Sequence, residues 1–270
     1  MKLYKYYRPV DYAFANFEKE VLCFNAVSIF SDQMEGAYKM ISNVELEGET
    51  EVDKMINRAY HALAREMSTV YTDAIRFQYR ILSMTDRMDY RYMWNAYAQN
   101  GEGFCLEYEC ADVGQVADGS GFIRYLNQKM ADGVFEDAKS TEEDLHKQIW
   151  NILFSKILLT DDGKVREEKY EKEHEIRFVR CVRQEEIEEV SIEEYMRNHL
   201  CKEPDKNDTY FAEFFSRKHF KSPNLHFEKV TPVKVFVGDK MSEENRERIE
   251  RKAVELGIEV QKVQAEELKD

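Results

Sequence analysis

Proline and glycine are scarce in this chain, with 4 and 11 among 270 residues. So little of either excludes long flexible linkers and low-complexity tracts, and no internal repeat is visible. No stretch reaches 18 consecutive apolar residues, which excludes a spanning helix. The five cysteines (Cys23, Cys105, Cys110, Cys181, Cys201) contain no C-x-x-C pair. That speaks against a zinc site or a disulfide framework and for reduced, mostly buried thiols in a cytoplasmic protein. Basic residues are outnumbered 39 to 53, giving a net charge of −14. No basic stripe longer than a pair such as Arg217-Lys218 offsets that field, so neither non-specific nucleic-acid binding nor attraction to an anionic membrane is expected. The opening MKLYKYYRPVDYAF has no apolar core of a secretory signal.

What is present is ample core material, 43% hydrophobic and 13% aromatic. LYKYY reads as a strand that stops at Arg8-Pro9, followed by a helix over roughly 11–20 carrying Phe14 and Phe17 inward. VLCFNAVSIFSD reads as two short strands, or as a strand and a loop. Met55, Ala59, Leu63, Met67 and Val70 recur at helical spacing over 51–73. IRFQYRILS alternates Ile75, Phe77, Tyr79 and Ile81 against Arg76, Gln78 and Arg80, the pattern of a half-buried strand. A helical turn holding Tyr90, Met93, Trp94 and Tyr97 leads through Asn100-Gly101 into the strand GFCLEYE. A second long helix is predicted from a Thr141 cap, with Leu145, Ile149, Ile152, Leu153 and Ile157 as its stripe. VKVFVG, a helix from Ser242 to Leu256, the stop at Gly257 and IEVQKV form a strand-helix-strand unit whose strands should lie parallel. The predicted class is α+β: a mixed, mainly antiparallel sheet flanked by helices, in a single domain over 1–270.

Three constellations carry potential chemistry. In YEKEHEIRFV, a strand would place Glu173, Glu175 and Arg177 on one face and Ile176, Phe178 and Val182 on the other. Two carboxylates beside a guanidinium can hold one acid ionised and perturb the other, whereas the plain reading is a solvated charged face. Trp94 and Tyr97 share a helical face, as core packing or as a stacking wall for a planar ligand. Tyr7 and Arg8, at the end of the first strand, are candidates to receive a phosphate or carboxylate, since a guanidinium binds one bidentately. Asp32 and Glu35 read as turn or cap residues. No spacing defines a metal site, although Asp32, Glu35, Glu173 and Glu175 are oxygen donors suited to Mg²⁺.

These residues, in the order KYYRP, FSDQMEG, MWNAYAQNGEGFCLEYE, YEKEHEIRFV and VKVFVGDK, resemble the bacterial domain of unknown function 2971 family over roughly 3–263. The tryptophan segment and the E-x-E-x-R segment are its specific parts, falling on Met93, Trp94, Tyr97, Ala98, Cys105, Glu173, Glu175 and Arg177. Ser31, Gln33 and Tyr170 depart from the family pattern, which uses Asn, Pro and Trp there. The family name brings no activity with it. The order of Arg8, then Ser83-Met84-Thr85, then Glu173-His174-Glu175 is also similar to the arginine, serine, glutamate order of one ADP-ribosyltransferase class. That likeness implies NAD as the cofactor or small-molecule nucleotide, with Arg8 on its diphosphate and Ser83 bracing the site. Glu175 would then stabilise the oxocarbenium-like ribose and Glu173 orient an acceptor or water. The reading from a different class is a non-catalytic ligand- or protein-binding module of a bacterial defence or stress system. There the acidic helices over 141–172 and 185–196 would serve as partner surface.

Overall fold

The first strand forms where the aromatic β-formers predict it: β1 (Lys2–Tyr7) ends before Arg8-Pro9. α1 (Asp11–Glu18) follows and buries Ala13, Phe14 and Phe17. Each phenyl ring removed from water contributes roughly 2 kcal/mol. β2 (Val21–Ala26) is next. The computed structural model describes residues 1–27, 75–126, 149–157, 171–191 and 219–269, with a few helical positions between 54 and 62. The segment around Asp32 and Glu35, most of the predicted 51–73 helix, the Thr141 cap and Cys201 lie outside the described residues. Met55 is described and is exposed, so it does not belong to the buried stripe expected of that helix.

The remaining elements are β3 (Tyr79–Thr85), α2 (Arg91–Tyr97), β4 (Phe104–Glu109), α3 (Cys110–Gln115), β5 (Gly119–Phe122), β6 (Arg124–Leu126) and β7 (Ser155–Ile157). After them come β8 (Glu175–Cys181), β9 (Glu188–Val190), β10 (His219–Lys221), β11 (Leu225–Lys229), β12 (Lys234–Gly238), α4 (Glu243–Leu256) and β13 (Glu259–Val263). Nine described strands form one mixed, mainly antiparallel sheet, with β8 and β5 joined to the path β11-β2-β3-β1-β4-β12-β13. The α+β class is therefore as expected, and so is the closing unit: β12 and β13 pair in parallel around α4. Ser242 caps α4 by accepting from the Asn245 amide, and Gly257 ends it with φ of +67°. Among the described residues, no helix is long and apolar enough to cross a membrane.

β3 is the junction of the sheet. β8 runs along it from Tyr79 to Thr85 and so occupies one whole edge. β2 pairs at Arg80 and Ile81, and β1 pairs at Thr85, so these two share the other edge. Between them the Ser83 carbonyl has no strand opposite it. The Lys5 ammonium fills the fork and donates to that oxygen at 2.8 Å.

One face of the sheet packs on α1, α3 and α4 through Leu3, Tyr7, Leu82, Phe104, Phe178 and Val235. The other face holds two separate apolar clusters. Tyr6, Met93, Trp94, Cys105 and Phe236 form one; Tyr79, Ile81, Ile152, Leu153 and Val179 form the other. Ser83, Glu175 and Arg177 alternate with core residues on this second face, between the two clusters.

Four expectations are corrected here. Residues 75–78 are helical and the strand begins only at Tyr79, because a four-residue run of alternating character fits one helical turn equally well. β3 is covered on both faces, so Arg80 is buried directly opposite Arg180. Arg80 gives its donors to carbonyls and Ser222, whereas Arg180 pairs with Glu186 and Glu228, both of which also meet His226. The second long helix stops at Leu153, and 155–157 form β7 beside β6. Residues 184–190 are a short 3-10 turn and β9 rather than an acidic helix.

Candidate functional site

β8 enters the sheet at Glu175, directly across from Thr85, and Arg177 stands across from Ser83. Side chains two apart on a strand point the same way, so Glu175 and Arg177 meet Ser83 on one face. The Glu175 carboxylate accepts from Ser83 Oγ at 2.5 Å and from Arg177 Nε and Nη2 at 3.0 and 2.9 Å. Arg177 also donates to the Leu153 carbonyl at 2.7 Å, which ties the site to the end of the 149–153 helix.

Glu173 is not on the strand. It ends a 3-10 turn, Glu171–Glu173, and His174 follows with φ of +45°. A left-handed conformation is strained for a residue with a Cβ, and such strain tends to collect where a site requires an unusual path. Here the bend turns Glu173 back toward Glu175. Lys156, from β7, places its ammonium 3.4 Å from a carboxylate oxygen of each. Tyr97, at the end of α2, donates to the other Glu173 oxygen at 2.5 Å. Both glutamates and Arg177 are at most 5% exposed, so the charged face that sequence alone allowed to be solvated is interior. Tyr97 is the opposite case, 39% exposed, with its ring at the surface and its hydroxyl turned in.

The two acids are driven apart electrostatically. Burial alone would raise Glu175, but the Arg177 and Lys156 charges and the Ser83 hydroxyl outweigh it and hold the carboxyl at about 2. For Glu173 burial wins: it lies above the usual carboxylate range despite Lys156 and Tyr97, and the Glu175 charge pushes it further. One carboxylate is thus fixed in its ionised form beside another that binds a proton more readily. Burial, helped by the neighbouring Glu173 charge, raises the Tyr97 hydroxyl as well, so it serves as a donor.

Lys156 sets this balance. Lys156→Met should move the Glu173 titration upward, since the two carboxylates would face each other without the shared cation. Carboxyl ¹³C resonances followed against pH test this, and an unmoved Glu173 midpoint would refute it.

The structure thus joins Ser83, Tyr97, Glu173, Glu175 and Arg177 and adds Lys156, which no local pattern marks as functional. It does not bring the other three candidates into contact with them. Tyr7 is buried on the opposite face, stacked on Phe104. Trp94 is 2% exposed, with its indole N–H on the Met88 carbonyl and its ring edge-on to Tyr6, which leaves no free face for stacking. Arg8 is exposed, and no described hydrogen bond or ion pair joins its guanidinium to the site. Also among the described residues, no group of three His, Cys, Asp or Glu side chains is placed to hold a metal ion. The four described cysteines are free thiols.

Residues 93–178 match the family described as Protein of unknown function (DUF2971). The resemblance holds there. The matched DUF2971 segment begins on α2 and ends within β8, so it brackets Tyr97, Tyr125, Lys156, Glu173, Glu175 and Arg177 and leaves out Arg8 and Ser83. No curated protein and no solved structure matches the chain.

Proposed function

We propose that this chain is a cytoplasmic nucleotide-handling enzyme that cleaves the N-glycosidic bond of NAD, by hydrolysis or by ADP-ribosyl transfer. The observation that carries the reading is the pair Glu173–Glu175, adjacent carboxyls whose proton affinities are pushed in opposite directions. Such division suits glycosidic chemistry, where one group must stay anionic and the other exchange a proton. The bond between C1′ and the nicotinamide nitrogen breaks, and its electron pair leaves with neutral nicotinamide. The Glu175 carboxylate stabilises the cationic ribose that forms. Water or an acceptor hydroxyl adds at C1′ and gives its proton to Glu173, from which it passes to solvent. Tyr97 holds Glu173 in place.

The test is nicotinamide release from NAD. Glu173→Gln keeps the volume and the oxygen that accepts from Tyr97, so the fold is expected to persist. Proton transfer contributes about 10²–10⁴ in rate, so turnover should fall at least 100-fold. Absence of nicotinamide with the unaltered protein, or equal turnover in the variant, would remove the enzymatic reading.

A second reading follows from one observation: the Glu175 carboxylate already accepts from Ser83 and Arg177 and faces Lys156, all supplied by the protein. A carboxylate so fully engaged is what an internal charge ladder of a non-catalytic binding module would contain. In that case glutamine at 173 or 175 alters melting temperature alone.

A further inference from the structure

Among the described residues of this neighbourhood, Tyr125 is the one whose hydroxyl donates to no partner. It lies in β6, which the chain reaches from β5 after the Ile123 amide donates to the Glu175 carbonyl at 3.0 Å. β6 pairs in parallel with β7, and the register sets Tyr125 directly beside Lys156. The ring is half-buried and the hydroxyl oxygen is sealed from solvent; the Glu175 backbone amide faces that oxygen, but the hydroxyl has no acceptor for its own proton among the described residues. The two glutamates are near enough for their charges to add to the effect of burial in raising this phenol, and they come first among the charges acting on it. An unpaired buried hydroxyl costs about 1–3 kcal/mol, and native proteins rarely retain one without a use. Every other polar side chain named in this network has a partner: Ser83 and Arg177 on Glu175, Tyr97 on Glu173, Lys156 on both.

We propose that Tyr125, with Glu173 and Lys156 beside it, forms a subsite for a sugar hydroxyl of the substrate. A ribose hydroxyl both donates and accepts, so it can take a proton from the phenol and give its own to a carboxylate, which an aromatic ring or a phosphate cannot do. The subsite rests on the nucleotide reading above and makes it specific: the ribose attached to nicotinamide is the part of NAD recognised here.

The experiment compares ADP-ribose with ADP, which lacks that second ribose, by calorimetric titration of the unaltered protein and of Tyr125→Phe. Because the hydroxyl donates to nothing, the variant should melt at or above the temperature of the unaltered protein; a marked fall would show that the hydroxyl is firmly bonded and overturn the subsite. ADP-ribose should bind at least tenfold more tightly than ADP, and Tyr125→Phe should erase that preference while leaving ADP unchanged. If Tyr125→Phe keeps the preference, the subsite is wrong, and nicotinamide release still decides the enzymatic reading separately. A preference that depends on Tyr125 without any nicotinamide release supports the subsite and sinks the catalytic reading. Failure of the unaltered protein to bind either compound overturns both.

Discussion

Replacing Glu175 by glutamine is expected to lower folding stability by roughly 3–5 kcal/mol, the usual consequence of leaving buried charge without its partner. Arg177 is 1% exposed and finds its counter-charge in Glu175. Lys156 would lose one of the two carboxylates it is shared between and keep Glu173. The amide oxygen can stand in for Oε1, which accepts from both Ser83 and Arg177, but the NH₂ then faces the Lys156 ammonium where the second carboxylate oxygen stood. The effect has a pH signature. A carboxyl lowered from 4.5 to about 2 on folding contributes stability that is fully present above about 4.5 and is lost as the pH falls toward 2. Glu173 is raised, so its contribution has the opposite course: present below 4.5 and lost as the pH rises through its folded value. The gap between the unaltered protein and Glu175→Gln should therefore be widest near neutrality and shrink below pH 4.5. Urea unfolding at pH 7 and at pH 3 measures it. Equal midpoints at pH 7 would mean that Glu175 is not the counter-ion of the site.

The second large effect is steric. Gly238 closes β12 against the turn that follows α2, and a Cβ there would lie 2.0 Å from the Gly101 oxygen and 2.5 Å from its carbonyl carbon. Those atoms are backbone, held by the Gly238 amide on the Gly103 carbonyl at 3.0 Å and the Lys240 amide on the Gly101 carbonyl at 3.1 Å. The turn has little freedom to withdraw, since Gln99, Asn100 and Gly101 all have positive φ. Gly238→Ala is expected to cost about 3 kcal/mol or more, beyond ordinary overpacking, because no side chain can rotate away. Gly114 supplies the contrast: it lies within α3 with open space where a Cβ would go. There alanine should be neutral or stabilise by up to about 1 kcal/mol. Thermal melts of the two variants check the pair, and similar melting temperatures would contradict the close approach.

Local pattern carried much of the fold. The helix at 11–18, the strand GFCLEYE and the strand-helix-strand ending are all encoded within windows shorter than 35 residues, by periodicity, Ser242 and Gly257. What local pattern could not carry was the cover supplied from far along the chain. Arg80 alternates with apolar residues as a solvent-facing residue would, yet β8, about 100 positions later, and the Ser222–Pro223 segment enclose it. Arg177 and Glu175 were legible as a face of a strand but not as an interior one, because their cover comes from two other segments, Ser83 on β3 and Leu153 and Lys156 in 149–157. Lys156 was hidden for a different reason. It stands in a run whose apolar spacing continues a helix, and nothing local marks the break at Leu153. Trp94 shows the limit of composition as a guide, since core and ligand wall use the same residue type and only burial separates them.

The fork at β3 divides the sheet into two wings on one spine. The wing with β2 and β11 and the wing with β1, β4, β12 and β13 share β3 but are not laddered to each other, and Lys5 is the wedge between them. Their backbone ladders meet only on β3, through two residue pairs for β2 and one for β1, so side chains such as Phe24, Leu3 and Phe104 in the shared core hold the wings together. The buried acids sit on the β8 side of that spine. Ser83 joins the two features, its carbonyl meeting the Lys5 wedge and its hydroxyl meeting Glu175.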